Sequence, residues 1–142
     1  MSKKLSLTQF ILDGALGGLV IGSRIELLRN LFGHPEDCGE GIGKSKIEEY
    51  FGGVLQIANH KGRIILIALY MNKGELENHG LFVNDLPLRV NNQKYQFLEW
   101  LDRQKVSYST RNAGEGYTSI DIVGGASVGF DSESMITIQK SE

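Results

Sequence analysis

Glycines that separate short apolar runs are the feature that most constrains the fold of this chain. The sequence contains 18 glycines among 142 residues. A chain that reverses direction tightly needs backbone angles with positive φ, which glycine adopts without steric cost. The spacing therefore predicts short antiparallel strands joined by tight turns. The glycines at the ends of apolar runs are Gly52, Gly53, Gly62, Gly74, Gly114, Gly116, Gly124 and Gly125.

The apolar runs between these glycines have the pattern of half-buried strands. Ile120 and Ile122 alternate with Ser119 and Asp121, and a period of two places the isoleucines on one face of a strand and the polar groups on the other. One face of the sheet is therefore expected to contact solvent. The predicted strands are residues 46–51, 54–59, 63–71, 106–111, 117–123, 126–130 and 135–140.

Two segments carry strong helix signals. Ser23 and Glu26 form a capping-box pattern at the start of an apolar stripe, and Gly33 is typical of a helix end. A second helix is predicted to begin near residue 91 or 92 and to end near 105, and a shorter, weaker helix is predicted over residues 7–13.

The order of these elements is repeated along the chain. Helix, loop, strand, Gly-Gly, strand, turn and strand describe residues 24–71 and again residues 92–140. Few identical residues match between the two segments, so chance similarity of composition is the alternative to a true repeat. The length predicts a single domain over residues 1–142. We expect an α+β fold in which helices pack on a face of antiparallel sheet, with two α-β-β-β repeats as one arrangement of it.

Charge and cysteine content restrict the classes of partner and compartment. With 15 basic and 17 acidic residues, the formal charge is −2, which does not predict a nucleic-acid partner. The apolar stretch over residues 5–21 is interrupted by Thr8 and Asp13, so neither a membrane span nor a signal peptide is expected. The single cysteine, Cys38, cannot form an intramolecular disulfide and favours a cytoplasmic location.

No cofactor, metal site or catalytic residue is predicted. Residues 39–45, GEGIGKS, resemble a phosphate-binding loop, but Cys38 stands where that loop requires its first glycine, and a helix end precedes the segment. His34 and Cys38 supply two metal ligands where a closed zinc site needs four. Glu48 and Glu49 are adjacent, so on a strand they point to opposite faces and do not form a general acid/base pair.

The most distinctive charge pattern is a group of five acidic residues within 14 positions. An acidic surface can occupy a basic substrate cleft and accelerate association with it. We therefore predict that these carboxylates contact a partner protein. Trp100 and Tyr95 are expected to pack in the core or on a helix face instead. The predicted partner-binding residues are Glu36, Asp37, Glu40, Glu48 and Glu49.

Several segments carry a family resemblance that covers much of the chain. The helix ending LLRNLFGHPED, followed by YFGGVLQIAN and GRIILIALYM, and the later FLEWLDRQKVSY, TSIDIVGGASVGFD and MITIQ, are similar to immunity proteins of contact-dependent and polymorphic toxin systems. The helix-ending turn also resembles outer-membrane assembly lipoproteins, but those carry an N-terminal lipobox cysteine, whereas Cys38 lies within the chain.

The resemblance implies a bacterial protein that binds and neutralises a cognate toxin, with a nuclease domain as the expected target, and that catalyses nothing itself. Immunity families share no motif of functional residues, so no residue role is carried over. The alternative is a small-ligand or regulatory binding domain without catalysis.

Overall fold

An eight-stranded antiparallel sheet dominates the structure, a computed structural model that describes residues 5–41, 43–73, 82–83, 85–86, 88 and 92–142. The strands are β2 (Asp37–Glu40), β3 (Lys46–Tyr50), β4 (Leu55–His60), β5 (Arg63–Tyr70), β7 (Tyr108–Gly114), β8 (Tyr117–Ile122), β9 (Ser127–Asp131) and β10 (Ser134–Ser141). Their order in space is β2-β3-β4-β5-β10-β9-β8-β7. Two four-stranded meanders therefore meet where β5 pairs with β10. A separate parallel pair joins β1 (Leu5–Ser6) to β6 (Phe82–Val83).

The three helices are α1 (Leu7–Asp13), α2 (Ile25–Phe32) and α3 (Gln93–Gln104). The bounds of α1 agree with the prediction, and α2 ends at Gly33 as expected, with φ 76 at that glycine. The predicted capping box is wrong. The Ser23 hydroxyl accepts a hydrogen bond from the Val20 amide, and the Ser23 carbonyl accepts one from Ile64, so the chain here runs extended beside β5. The helix consequently begins at Ile25.

One face of the sheet forms the hydrophobic core with all three helices. The cross-strand register places buried side chains in one row, and each helix adds buried residues to the same cluster. The expected α+β architecture, with helices packed on a face of antiparallel sheet, is confirmed. The row contains Tyr50, Leu55, Leu69, Ile138, Val128 and Ile120, and the helices contribute Phe10, Leu28, Phe97 and Trp100 among others.

The other face of the sheet carries a mostly polar row of side chains, as the alternation predicts, beside a shorter apolar row of Ile47, Ala58 and Leu66. One register row crosses all eight strands and is polar at every strand except β5, where it contains Ala68. The row therefore marks the face that the helices leave uncovered. In spatial order it consists of Asp37, Glu49, Gln56, Ala68, Gln139, Ser127, Asp121 and Ser109.

All seven predicted strands occur, with ends shifted by one to three residues. The strand β2 is not among the predicted strands, because its sequence, Asp-Cys-Gly-Glu, has no apolar alternation. Each helix of the predicted repeat is followed by four strands, one more than the α-β-β-β order contains. The additional strand is the unpredicted β2 in the first segment and β7, predicted at residues 106–111, in the second. Gly74 and His79 lie outside the described residues.

The two Gly-Gly segments differ in what packs against them. Gly53 belongs to a 3-10 turn, and a methyl group there would approach the flexible side chain of Lys73. At Gly125 a methyl group would overlap the Ile11 carbonyl oxygen, while the neighbouring Ala126 amide donates to that oxygen at 2.9 Å. Only glycine permits this close approach of α1 to the β8–β9 turn.

Candidate functional site

The β2–β3 hairpin positions the predicted binding residues at one edge of the sheet. All four residues of β2 are exposed, and its partner strand is β3 on one side only. The register pairs Asp37 with Glu49 and Glu40 with Lys46. The Glu36 amide donates to the Glu49 carbonyl oxygen at 2.9 Å, so backbone pairing holds the start of the hairpin in place.

Four carboxylates, Glu36, Asp37, Glu40 and Glu49, form a surface that we call the acidic edge. Glu36, Asp37 and Glu40 are exposed and Glu49 is half-buried. Asp37, Glu40 and Glu49 line a cavity of about 220 Å³ together with Gln56. The structure therefore places all four carboxylates on or beside the edge strand β2, with Asp37 and Glu49 on the uncovered face of the sheet and Glu40, which lies opposite Lys46, on the other.

Backbone amides orient two members of the acidic edge. One carboxylate oxygen of Glu36 accepts a hydrogen bond from the Gly52 amide at 2.7 Å, and Asp37 accepts one from the Cys38 amide at 2.9 Å. In the described part of the chain the ion pairs are Arg29–Glu48 and Arg111–Asp121. No carboxylate of the acidic edge is therefore neutralised by an ion pair there.

Glu48 does not belong to this surface, which corrects the prediction for that residue. It is 5% exposed, and both of its carboxylate oxygens accept hydrogen bonds from the Arg29 guanidinium. Because β3 alternates, Glu48 faces α2 whereas Glu49 faces the uncovered side of the sheet. The negative charge of Glu48 is thus compensated within the fold, and the two glutamates do not form a general acid/base pair.

Tyr50 completes the polar contact between α2 and β3. The Arg29 guanidinium donates to its hydroxyl oxygen at 3.0 Å, and the hydroxyl donates to the Gly33 carbonyl oxygen at 3.1 Å. Burial raises the pKa of Tyr50, so the hydroxyl stays protonated at neutral pH. Hydrogen bonding by Glu48 raises the pKa of Arg29 further above its usual range. No local sequence pattern indicates this cluster, because Arg29 lies beside the apolar stripe of α2 and its partners belong to β3.

The segment 39–45 begins within β2, which ends at Glu40, and leads to β3, which begins at Lys46. The Gly41 amide donates to the Ser45 carbonyl oxygen at 3.0 Å, which closes the hairpin. A strand follows the segment, as predicted, and a strand also precedes it where the sequence suggested a helix end. A phosphate loop requires a following helix, so the context of that motif is absent here.

Comparison with known proteins adds no assignment. No protein-family model, curated protein or solved structure matches this chain.

Among the described residues, no group of three or more histidine, cysteine or acidic side chains is arranged to hold a metal ion. The helices in that part of the chain are also too short and too polar to cross a membrane.

Two aromatic residues of α3 have different environments. Trp100 is buried and packs near Phe97, with ring centroids 5.7 Å apart, as expected for a core residue. Tyr95 was also expected to pack, but it is 64% exposed. The prediction for Tyr95 is therefore wrong, since its position on α3 faces away from the sheet.

Proposed function

We propose that this chain is a non-catalytic immunity protein that binds a basic surface of a cognate toxin domain through its acidic edge and occludes the toxin's active site. The observation that carries the proposal is the fully exposed strand β2, with Asp37 and Glu40 on it and Glu36 and Glu49 beside it. We further propose that it acts in the cytoplasm, where its single exposed cysteine is stable as a thiol.

Charge supports this mode of binding. In the described residues no ion pair involves the acidic edge, and the cation opposite it in the register is Lys46, across from Glu40. Clustered carboxylates can take the place of phosphate groups in a basic nuclease cleft and steer the encounter. The net charge of the whole chain is only −2, so the local arrangement of these carboxylates, rather than the total charge, would determine the docking face.

The backbone of β2 supports the same face. As an edge strand, β2 offers amide and carbonyl groups along its outer side to a strand or loop of a partner. Acidic side chains on an edge discourage pairing with a second acidic edge. Pairing of β2 with a basic segment remains favourable. The backbone of β2 and its acidic side chains therefore both favour a basic strand or loop as the partner.

Charge reversal tests the proposal. The test uses a toxin domain that co-purifies with the unaltered chain from its native cells, and the variant Asp37→Lys/Glu40→Lys should lose protection of cells that express this domain. Its affinity for that domain should fall by about 100-fold, since close interfacial charge pairs contribute about 1.5–7 kcal/mol. Binding by the unaltered chain should also weaken as salt rises.

The matched control is Glu99→Lys/Glu115→Lys, which makes the same change in net charge at two exposed positions outside the β2–β3 hairpin, one on α3 and one in the β7–β8 turn. We expect this control to protect cells as the unaltered chain does. Equal protection by both double variants would show that the acidic edge does not contact the toxin. Failure of the unaltered chain to bind or protect would overturn the immunity function itself.

A further inference from the structure

A second charged feature lies at the loop end of the β2–β3 hairpin. Because β3 pairs with β4, with Lys46 opposite Asn59, the β2–β3 loop lies beside the β4–β5 turn. The two connections enclose a cavity of about 480 Å³. Its volume is within the range of about 300–1,000 Å³ that is typical of small-ligand sites.

Basic side chains from both connections line this cavity. Lys44 comes from the β2–β3 loop, Lys61 from the β4–β5 turn, and Arg63 from the start of β5, with half-buried His60 between them. Glu142 is the one acidic residue among the lining residues. We call Lys44, His60, Lys61 and Arg63 the cationic cavity.

The cations of the cationic cavity outnumber its acidic residues, because Lys44, Lys61 and Arg63 line it with Glu142 as the one carboxylate. In the described ranges, neither ion pair involves a residue of this group. Arg63 is oriented by a hydrogen bond to the Gly22 carbonyl oxygen at 3.1 Å, and a backbone bridge places Arg24 beside it. Like charges held close together repel, and a bound anion relieves that repulsion.

The turn geometry also favours a role for Lys61. This residue has φ 52 and precedes Gly62, with φ 77. Asparagine, aspartate and glycine are the residues typical of such a turn position. Lys61 therefore occupies a turn position where a different residue type is usual, and its side chain lines the cavity.

We propose that the cationic cavity binds the phosphate group of a small anionic ligand. Phosphate offers several strong acceptor oxygens, which lysine contacts as a point charge and arginine as a planar donor. Side chains from two hairpin connections would form this site, in contrast to the backbone cradle that the GEGIGKS segment resembles. The proposal is independent of the toxin-binding function, because it uses neither the acidic edge nor a protein partner.

The test is calorimetric titration with inorganic pyrophosphate at constant ionic strength. The unaltered chain should bind pyrophosphate. The affinity of Lys44→Gln/Lys61→Gln should be lower by at least about tenfold, since a hydrogen bond to a charged group contributes about 1.5–3 kcal/mol. Arg103→Gln/Lys105→Gln is the matched control. It removes two exposed cations at the end of α3, and Lys105 has φ 58, close to that of Lys61. We expect this control to bind as the unaltered chain does.

Folding is checked by comparing the thermal unfolding midpoints of all variants. Lys44→Gln alone changes only an exposed loop side chain and should weaken binding in the same direction. Absence of pyrophosphate binding by the unaltered chain at millimolar concentration would overturn the proposal, as would equal weakening in the control. Tighter binding of ADP than of pyrophosphate would identify the ligand as a nucleotide. Equal binding of the two would show that the cavity recognises the phosphate groups alone.

Discussion

The two halves of the sheet differ in the polar contacts that hold their helices. In the N-terminal half, α2 is joined to β3 by Arg29, which pairs with Glu48 and donates to the Tyr50 hydroxyl oxygen. This contact depends on orientation, because each donor must meet its acceptor within a narrow range of distance and angle. This contact therefore fixes the position of α2 along β3, and it buries the charged carboxylate of Glu48.

In the C-terminal half, α3 is joined to the sheet by rings. The centroid of Phe97 lies 5.7 Å from that of Trp100 and 5.5 Å from that of Phe130. Apolar burial, which is not directional, also holds α2, where the centroid of Phe32 lies 5.6 Å from that of Tyr50. In the described residues α3 has no ion pair to the sheet, and its polar contacts include the Gln93 side-chain oxygen, which accepts a hydrogen bond from the Met135 amide at 2.9 Å. The comparison teaches that repetition of element order along the chain does not require repetition of the interactions that hold the elements together.

The largest effect is expected from the apolar attachment. Phe97→Ala removes a fully buried ring and should lower the free energy of unfolding by about 3–5 kcal/mol. Tyr95→Ala, two positions earlier on the same helix and exposed, is the control and should change it by no more than about 0.5 kcal/mol. Urea denaturation measures both. A loss below about 1 kcal/mol for Phe97→Ala would show that α3 is not held by its rings.

A smaller effect is expected from the polar attachment. Arg29→Met leaves the Glu48 carboxylate buried without its partner and should cost about 2 kcal/mol. This is less than the 3–5 kcal/mol typical of fully buried pairs, because the Arg29 side chain is 32% exposed. Arg29→Met/Glu48→Met should recover most of the loss, since replacing both charges removes the uncompensated one. Additive losses in this double-mutant cycle would contradict a direct coupling.

The same contrast explains which parts of the fold were predictable. Seven strands were predicted because period-two alternation and turn glycines are local signals. β2 carries neither, since Asp-Cys-Gly-Glu is exposed at every position. Its strand conformation depends on pairing with β3, which is a tertiary effect. Likewise Ser23 has the sequence of a helix cap, but its carbonyl pairs with Ile64 from β5.

For the candidate site, the sequence predicted where acidic residues cluster but not which of them is buried. The burial of Glu48 depends on Arg29, nineteen positions away in the chain, and no local pattern reports such a contact. The cationic cavity was not predicted for the same reason. Lys44 and Lys61 belong to different turns and become neighbours only when β3 pairs with β4.

The smallest effect is expected at the ion pair on the uncovered face of the C-terminal half. Burial opposes ionisation of Asp121, but hydrogen bonds from Ser127, Ser119 and Arg111 outweigh it and lower the pKa of this carboxyl. A carboxyl whose pKa is lower in the folded state stabilises the fold above its unfolded pKa of about 3.9, and this contribution is lost as the pH falls through the folded value.

Asp121→Asn should therefore reduce the free energy of unfolding at pH 7 by less than about 1 kcal/mol, because the Asp121 side chain is 34% exposed. The deficit relative to the unaltered chain should shrink as the pH is lowered towards 3, since the unaltered chain then loses the same contribution. Asp131→Asn, at an exposed position on β9, controls for removal of a carboxylate. A deficit that is constant from pH 7 to pH 3 would mean that the Arg111–Asp121 contact does not stabilise the folded state through charge.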